Sequence, residues 1–160
     1  MSVTFREYFD LKNNSIVALL SLISFFGLFI ADFGTTISIL VFAIYLVFNL
    51  RWLYSAYSLF GRETNNSSST PKKVILANFV PVVCFYRPFY NILELLKFAG
   101  KNKVLAYFNW FLQLVSIVYA VVKAFSDQDF SFLYFTIFAW VCFSFYLYQG
   151  VNSKVENLVG

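Results

Sequence analysis

The segment VILANFVPVVCFYRPFYNILELLKF, from Val74 to Phe98, constrains the fold of this chain more than any other. It begins like a membrane span and breaks halfway, at Pro81 and again at Arg87 and Pro88. A helix needs about 20 apolar residues to cross a hydrocarbon core of about 30 Å. Only thirteen residues, Val74 to Tyr86, precede the arginine. The segment is therefore expected to enter the membrane and return, with Pro81 and Pro88 as its hinges.

The rest of the chain supports a membrane setting. Of 160 residues, 60% are hydrophobic and 12% charged, far from a soluble average. Four further runs are long enough to cross: about 15–31, 34–53, 104–124 and 130–148. The first two are separated by Asp32-Phe33 and the last two by Phe125 to Asp129, so the pattern predicts two tight helical hairpins. The expected fold is a single all-α membrane domain over 1–160, with four transmembrane helices, a polar linker at 61–73, and a re-entrant segment plus surface helix at 74–100. Residues 1–14 place Phe5, Tyr8 and Phe9 at helical spacing and read as a short interfacial helix. The first run has no cleavage signature after it and reads as a retained signal anchor.

Charge decides how the middle is threaded. If the 74–86 stretch does not cross, Arg6, Lys12, Arg51, Arg62, Lys72, Lys73, Arg87, Lys97, Lys101, Lys103 and Lys154 share one side, leaving only Lys123 of the twelve basic residues apart. A crossing would divide them. The positive-inside rule therefore favours four spans with both termini in the cytoplasm. After Pro88, at its permissive first helical turn, Asn91, Glu94, Lys97 and Lys101 recur every three or four residues and predict an amphipathic helix along the cytoplasmic surface, stopped at Gly100.

The chain has no histidine, and its two cysteines, Cys84 and Cys142, lie inside apolar runs. No metal site and no cofactor are expected. Asp127 and Asp129 read as solvated capping residues, and Lys72, Lys73, Lys101 and Lys103 as topology signals that attract anionic lipid rather than nucleic acid. The sharpest candidates are Arg87, Asn91 and Glu94, which fall near one helical face. They form a candidate site for lipid headgroups or a protein partner, while anchoring of the re-entrant turn by Arg87 explains the same residue structurally. Small residues along the first span, among them Ser21, Ser24 and Gly27, form a stripe for close helix packing, within the chain or between copies. The aromatic crowd at Tyr45, Trp52, Tyr54, Tyr57, Tyr107, Trp110, Tyr146 and Tyr148 reads as an interfacial belt.

At Phe79, Pro81, Arg87, Pro88 and Glu94, with Trp52 and Tyr54 before the linker, the chain resembles a bacterial multi-pass membrane family known only as a domain of unknown function. The resemblance covers roughly Gly34 to Tyr148 and departs from the pattern at Cys84-Phe85-Tyr86. It implies about four spans in a bacterial cytoplasmic membrane and importance for Arg87-Pro88, with no established activity. Three functions follow in order. The first is a non-catalytic membrane module, such as a scaffold, sensor, immunity-type protein or complex subunit, whose partners are membrane lipids and a membrane protein or second copy. The second is a small oligomeric channel or transporter using the broken helix. The third, an intramembrane enzyme, lacks a usable nucleophile and base pair.

Overall fold

The computed structural model describes residues 3–31, 35–64, 70–77, 83–123 and 131–159. These residues form six helices: α1 (Phe5–Ile30), α2 (Thr35–Thr64), α3 (Pro71–Ala77), α4 (Val83–Phe98), α5 (Val104–Lys123) and α6 (Ser131–Glu156). Among the described residues no strand forms, and an isolated bridge joins Val3 to Val159. That bridge, with the Val3 N–H donating to Leu158 O at 3.3 Å, places both described chain ends together.

Three helices, α1, α2 and α6, are long and apolar enough to cross a membrane. At about 1.5 Å per residue, α1 and α6 reach about 39 Å and α2 about 45 Å, beyond a core of about 30 Å. A crossing would leave their surplus turns outside it. Residues 5–14 are accordingly the continuous start of α1 rather than a separate interfacial helix. A capping box fixes that start: the Thr4 hydroxyl accepts from Glu7 N–H, and Glu7 Oε2 accepts from Thr4 N–H. Likewise α2 runs eleven residues beyond the expected end at 53, to Thr64, and α6 continues past 148 to Glu156.

The middle region is two short helices, α3 of seven residues and α4 of sixteen, with Pro81 outside the described residues. The expectation that a helix begins at Pro88 is corrected: α4 starts at Val83, so residue 88 lies in its second turn. The continuing apolar pattern from Val83 supports that earlier start, at the cost of the one backbone hydrogen bond that a proline cannot donate. The far end of α4 follows the sequence reading. Gly100 takes φ +65°, its N–H donates to Lys97 O, and Lys101 N–H donates to Leu96 O, which is a Schellman stop.

Helix α1 packs most extensively on α2 and also on α6; α5 lies beside α6, and α4 touches α2, α3, α5 and α6. Burial is concentrated at the end that holds the chain ends. There Leu11, Ala18 and Leu22 of α1, Trp52, Ala56 and Tyr57 of α2, Leu95 and Leu96 of α4, and Val151 and Val155 of α6 are sealed from solvent. Away from it the shafts display large apolar side chains outward, including Leu20, Ile39, Leu40, Phe111, Phe135 and Phe138. A soluble protein rarely shows so continuous an apolar exterior; a hydrocarbon environment explains it.

The aromatic belt is corrected. Tyr45, Trp52, Tyr57 and Tyr148 are interior residues that join helices, and the Trp52 and Tyr148 rings lie 4.5 Å apart. Hydrogen bonds inside the bundle satisfy the polar tips of Trp52, Tyr57 and Tyr148, so these groups do not need the headgroup layer. Tyr54 and Tyr107 are exposed.

Candidate functional site

Asn91 and Glu94 come together, but through a residue that sequence spacing did not single out. Tyr57, fully buried on α2, directs its hydroxyl at α4, where Asn91 O accepts at 2.8 Å and Glu94 Oε2 at 3.1 Å. The two α4 residues therefore turn toward the bundle, and Asn91 is only 1% exposed. This corrects the picture of a polar stripe facing water: Lys97 is exposed, whereas Asn91 shares the interior face with Leu95. The reason is the partner helix. With Tyr57 supplying a donor, a half-buried carboxylate costs less inside than it does against hydrocarbon.

Arg87 occupies α4 one turn before Asn91 and nearly two before Glu94, so the backbone register puts the three near one face. Its side chain, like those of Cys84 and Pro88, lies outside what is described, as do Asp32, Asp127 and Asp129. Asn91 Nδ2 is buried without a hydrogen-bond partner among the described residues. Phe89, the next residue after Pro88, stacks on Trp110 of α5 at 5.0 Å and meets Tyr107 at 5.2 Å. The Phe98 ring meets Phe60 of α2 at 5.6 Å. Aromatic contacts thus clamp both ends of the α4 polar cluster.

A second polar chain ties α2, α6 and α1 together at the same end. Trp52 Nε1 donates to Asn152 Oδ1 at 3.4 Å, Asn152 Nδ2 donates to Ser15 Oγ at 2.8 Å, and Ser15 Oγ donates to Lys12 O at 2.7 Å. Tyr148 OH donates to Asn49 Oδ1 at 2.7 Å one layer away. Across the N-terminal turn, Arg62 pairs with Glu7 at 2.5 Å. The Thr4 N–H and then the Arg62 guanidinium hold the Glu7 carboxyl below its ordinary range. None of these long-range pairs has a sequence signature, since each joins residues 55 to 137 positions apart. The local exception is Thr4-Phe5-Arg6-Glu7, whose capping-box spacing is readable in the sequence.

The small-residue stripe divides. Ala18 is buried, but Ser24 is exposed and a Cβ on Gly27 would meet nothing within 4 Å. Helix α1 packs within the chain through Leu11, Ser15, Ala18 and Leu22 instead. Cys142 is a free, exposed thiol on α6. No family model, curated protein or solved structure matches the chain.

Proposed function

We propose that this chain is a non-catalytic integral membrane module of four spans, with α5 as the fourth, a re-entrant α3–α4 segment and both termini in the cytoplasm. It acts as a scaffold, sensor, immunity-type protein or complex subunit through contacts with lipid or a membrane-protein partner at the end where its chain ends meet. The reading is carried by the contrast between the two ends: apolar shafts open to hydrocarbon lead into one close-packed, internally hydrogen-bonded platform. The 20-residue length of α5, about 30 Å, suits a crossing. Arg87, in register with Asn91 and Glu94 on α4, supplies hydrogen-bonding capacity for a phosphate or a partner carbonyl.

A second reading, an oligomeric channel or transporter, draws on α5. Asn109 Oδ1 and Gln113 Nε2, one turn apart, are buried without hydrogen-bond partners among the described residues, which is costly in a span. Native purification in mild detergent separates the two. The module reading expects a defined membrane protein to remain bound at fixed stoichiometry and to be lost from Arg87→Ala, whatever lipid the chain retains elsewhere. Ion or solute flux through liposomes holding the purified chain alone would reverse the order.

A further inference from the structure

A cleft of about 370 Å³ lies between the halves of α1 and α6 nearest the chain ends, and none of Tyr57, Asn91 and Glu94 lines it. Its chemistry is graded along the helices. One part of its wall is Ile16, Leu19 and Phe145; Ile16 is 46% exposed and Phe145 53%, both continuous with the apolar shafts. Toward the chain ends it is bordered by two cations, Lys12 and Lys101, and one carboxylate, Glu156. Neither lysine has an ion pair among the described residues, and neither does Glu156. The cations are steadied by rings: Lys12 Nζ lies 5.5 Å from the Tyr8 centroid and Lys101 Nζ 5.7 Å from that of Tyr146. Between the two zones the floor is polar but already bonded, through Ser15 and Asn152.

Lys101 reaches this cleft by construction. The Schellman turn at Gly100 reverses the chain after α4, and the lysine's alkyl stem then crosses α6 at Gly150. A Cβ at residue 150 would come within 2.9 Å of Lys101 Cγ and 3.2 Å of its Cε, so the glycine is the groove in which the stem lies. We infer that the cleft between α1 and α6 binds the headgroup of one anionic glycerophospholipid, its phosphate held by Lys12 and Lys101 and its acyl chain laid along Ile16, Leu19 and Phe145. The grading of charge and apolar surface matches such an amphiphile: two cations against one carboxylate leave an excess positive charge where the phosphate sits, at headgroup depth. The inference rests on the membrane reading above, but neither on Arg87 nor on which leaflet this end faces.

The test uses the full chain in mild detergent, with retained lipid counted by native mass spectrometry. Phosphatidylglycerol should remain at one molecule per chain in preference to phosphatidylcholine of the same acyl composition. A basic residue near an anionic surface contributes about fivefold in binding, so Lys12→Gln with Lys101→Gln should lower the preference about 25-fold, whereas Lys72→Gln with Lys73→Gln should leave it unchanged. Gly150→Ala, which favours α6 helicity while displacing the Lys101 stem, should lower it about fivefold without loss of thermal stability. Equal retention of the two lipids overturns the site, as does equal loss in both lysine pairs or an unaltered preference in Gly150→Ala. Displacement of the lipid by millimolar glycerol 3-phosphate would instead make it a site for a free anion. Carbonate extraction of the same variants reports membrane integration separately, so failure of that reading is distinguishable from failure of this one.

Discussion

Removing one oxygen atom from Tyr57 tests whether α4 is held in place as described. Tyr57→Phe keeps the buried ring and deletes the donor shared by Asn91 O at 2.8 Å and Glu94 Oε2 at 3.1 Å. A single proton serves both acceptors, so the loss is less than two full hydrogen bonds. A hydrogen bond to a charged group contributes about 1.5–3 kcal/mol and a neutral one about 0.5–1.5. Because Glu94 is half-buried and water compensates part of its loss, we place the cost near the overlap, at about 1.5 kcal/mol, or roughly tenfold in the folded-to-unfolded ratio. Unfolding in detergent micelles with a rising dodecyl sulfate fraction measures it. A cycle with Glu94→Ala then isolates the pair: the cost of Tyr57→Phe should fall by about 0.5–1 kcal/mol in that background, where only Asn91 O remains to accept. Wild-type stability of Tyr57→Phe, or strict additivity with Glu94→Ala, refutes the claim that Tyr57 organises the cluster.

Asn152→Leu strands both Trp52 Nε1 and the acceptor capacity of Ser15 at the α1, α2 and α6 junction, and should lower stability by about 1–3 kcal/mol in the same assay. Glu7→Gln should cost no more than about 0.5 kcal/mol at pH 7, because the Arg62 pair is partly exposed to water. Since the folded carboxyl titrates below its unfolded value, that contribution is fully present above the unfolded value and disappears as pH falls through the folded one; wild type and Glu7→Gln should therefore converge in unfolding curves once acid has protonated the folded carboxyl. Gln113→Leu replaces an amide whose Nε2 is buried without a partner among the described residues and should raise stability by about 1 kcal/mol with no change in oligomeric state. Weaker self-association in sedimentation velocity would instead support the oligomeric reading.

The sequence carried the helical architecture because apolar runs of membrane-spanning length leave a chain few alternatives, and Gly100 carried the α4 stop because only a residue tolerant of positive φ closes a Schellman turn cheaply. Helix ends were less legible. Apolar runs mark only the hydrophobic stretch of a helix, whereas α1, α2 and α6 continue into more polar sequence, with a capping box at the start of α1 and packing of α1 against α2 and α6. The site was half legible. Asn91 and Glu94 share a helical face, so spacing found them, but Tyr57 stands 34 and 37 residues away and resembles any aromatic near a span end. The tyrosines of the expected belt show the same limit: an amphipathic ring suits the headgroup layer and a polar bundle interior equally, and only tertiary contacts choose. The cleft was hidden for the same reason, since it depends on Gly150 of one helix admitting the stem of Lys101 from a turn elsewhere.

The central claim, that the middle of the chain returns to the side it left, is tested most directly by labelling. In a chain carrying Cys84→Ser and Cys142→Ser, Ser68→Cys and Asn102→Cys bracket the α3–α4 region, and Asp127→Cys marks the α5–α6 connection. The account predicts that a membrane-impermeant maleimide reaches positions 68 and 102 only from the cytoplasmic side and position 127 only from the opposite side. Labelling of 68 and 102 from opposite faces would show that residues 74–98 cross the bilayer, and would contradict it.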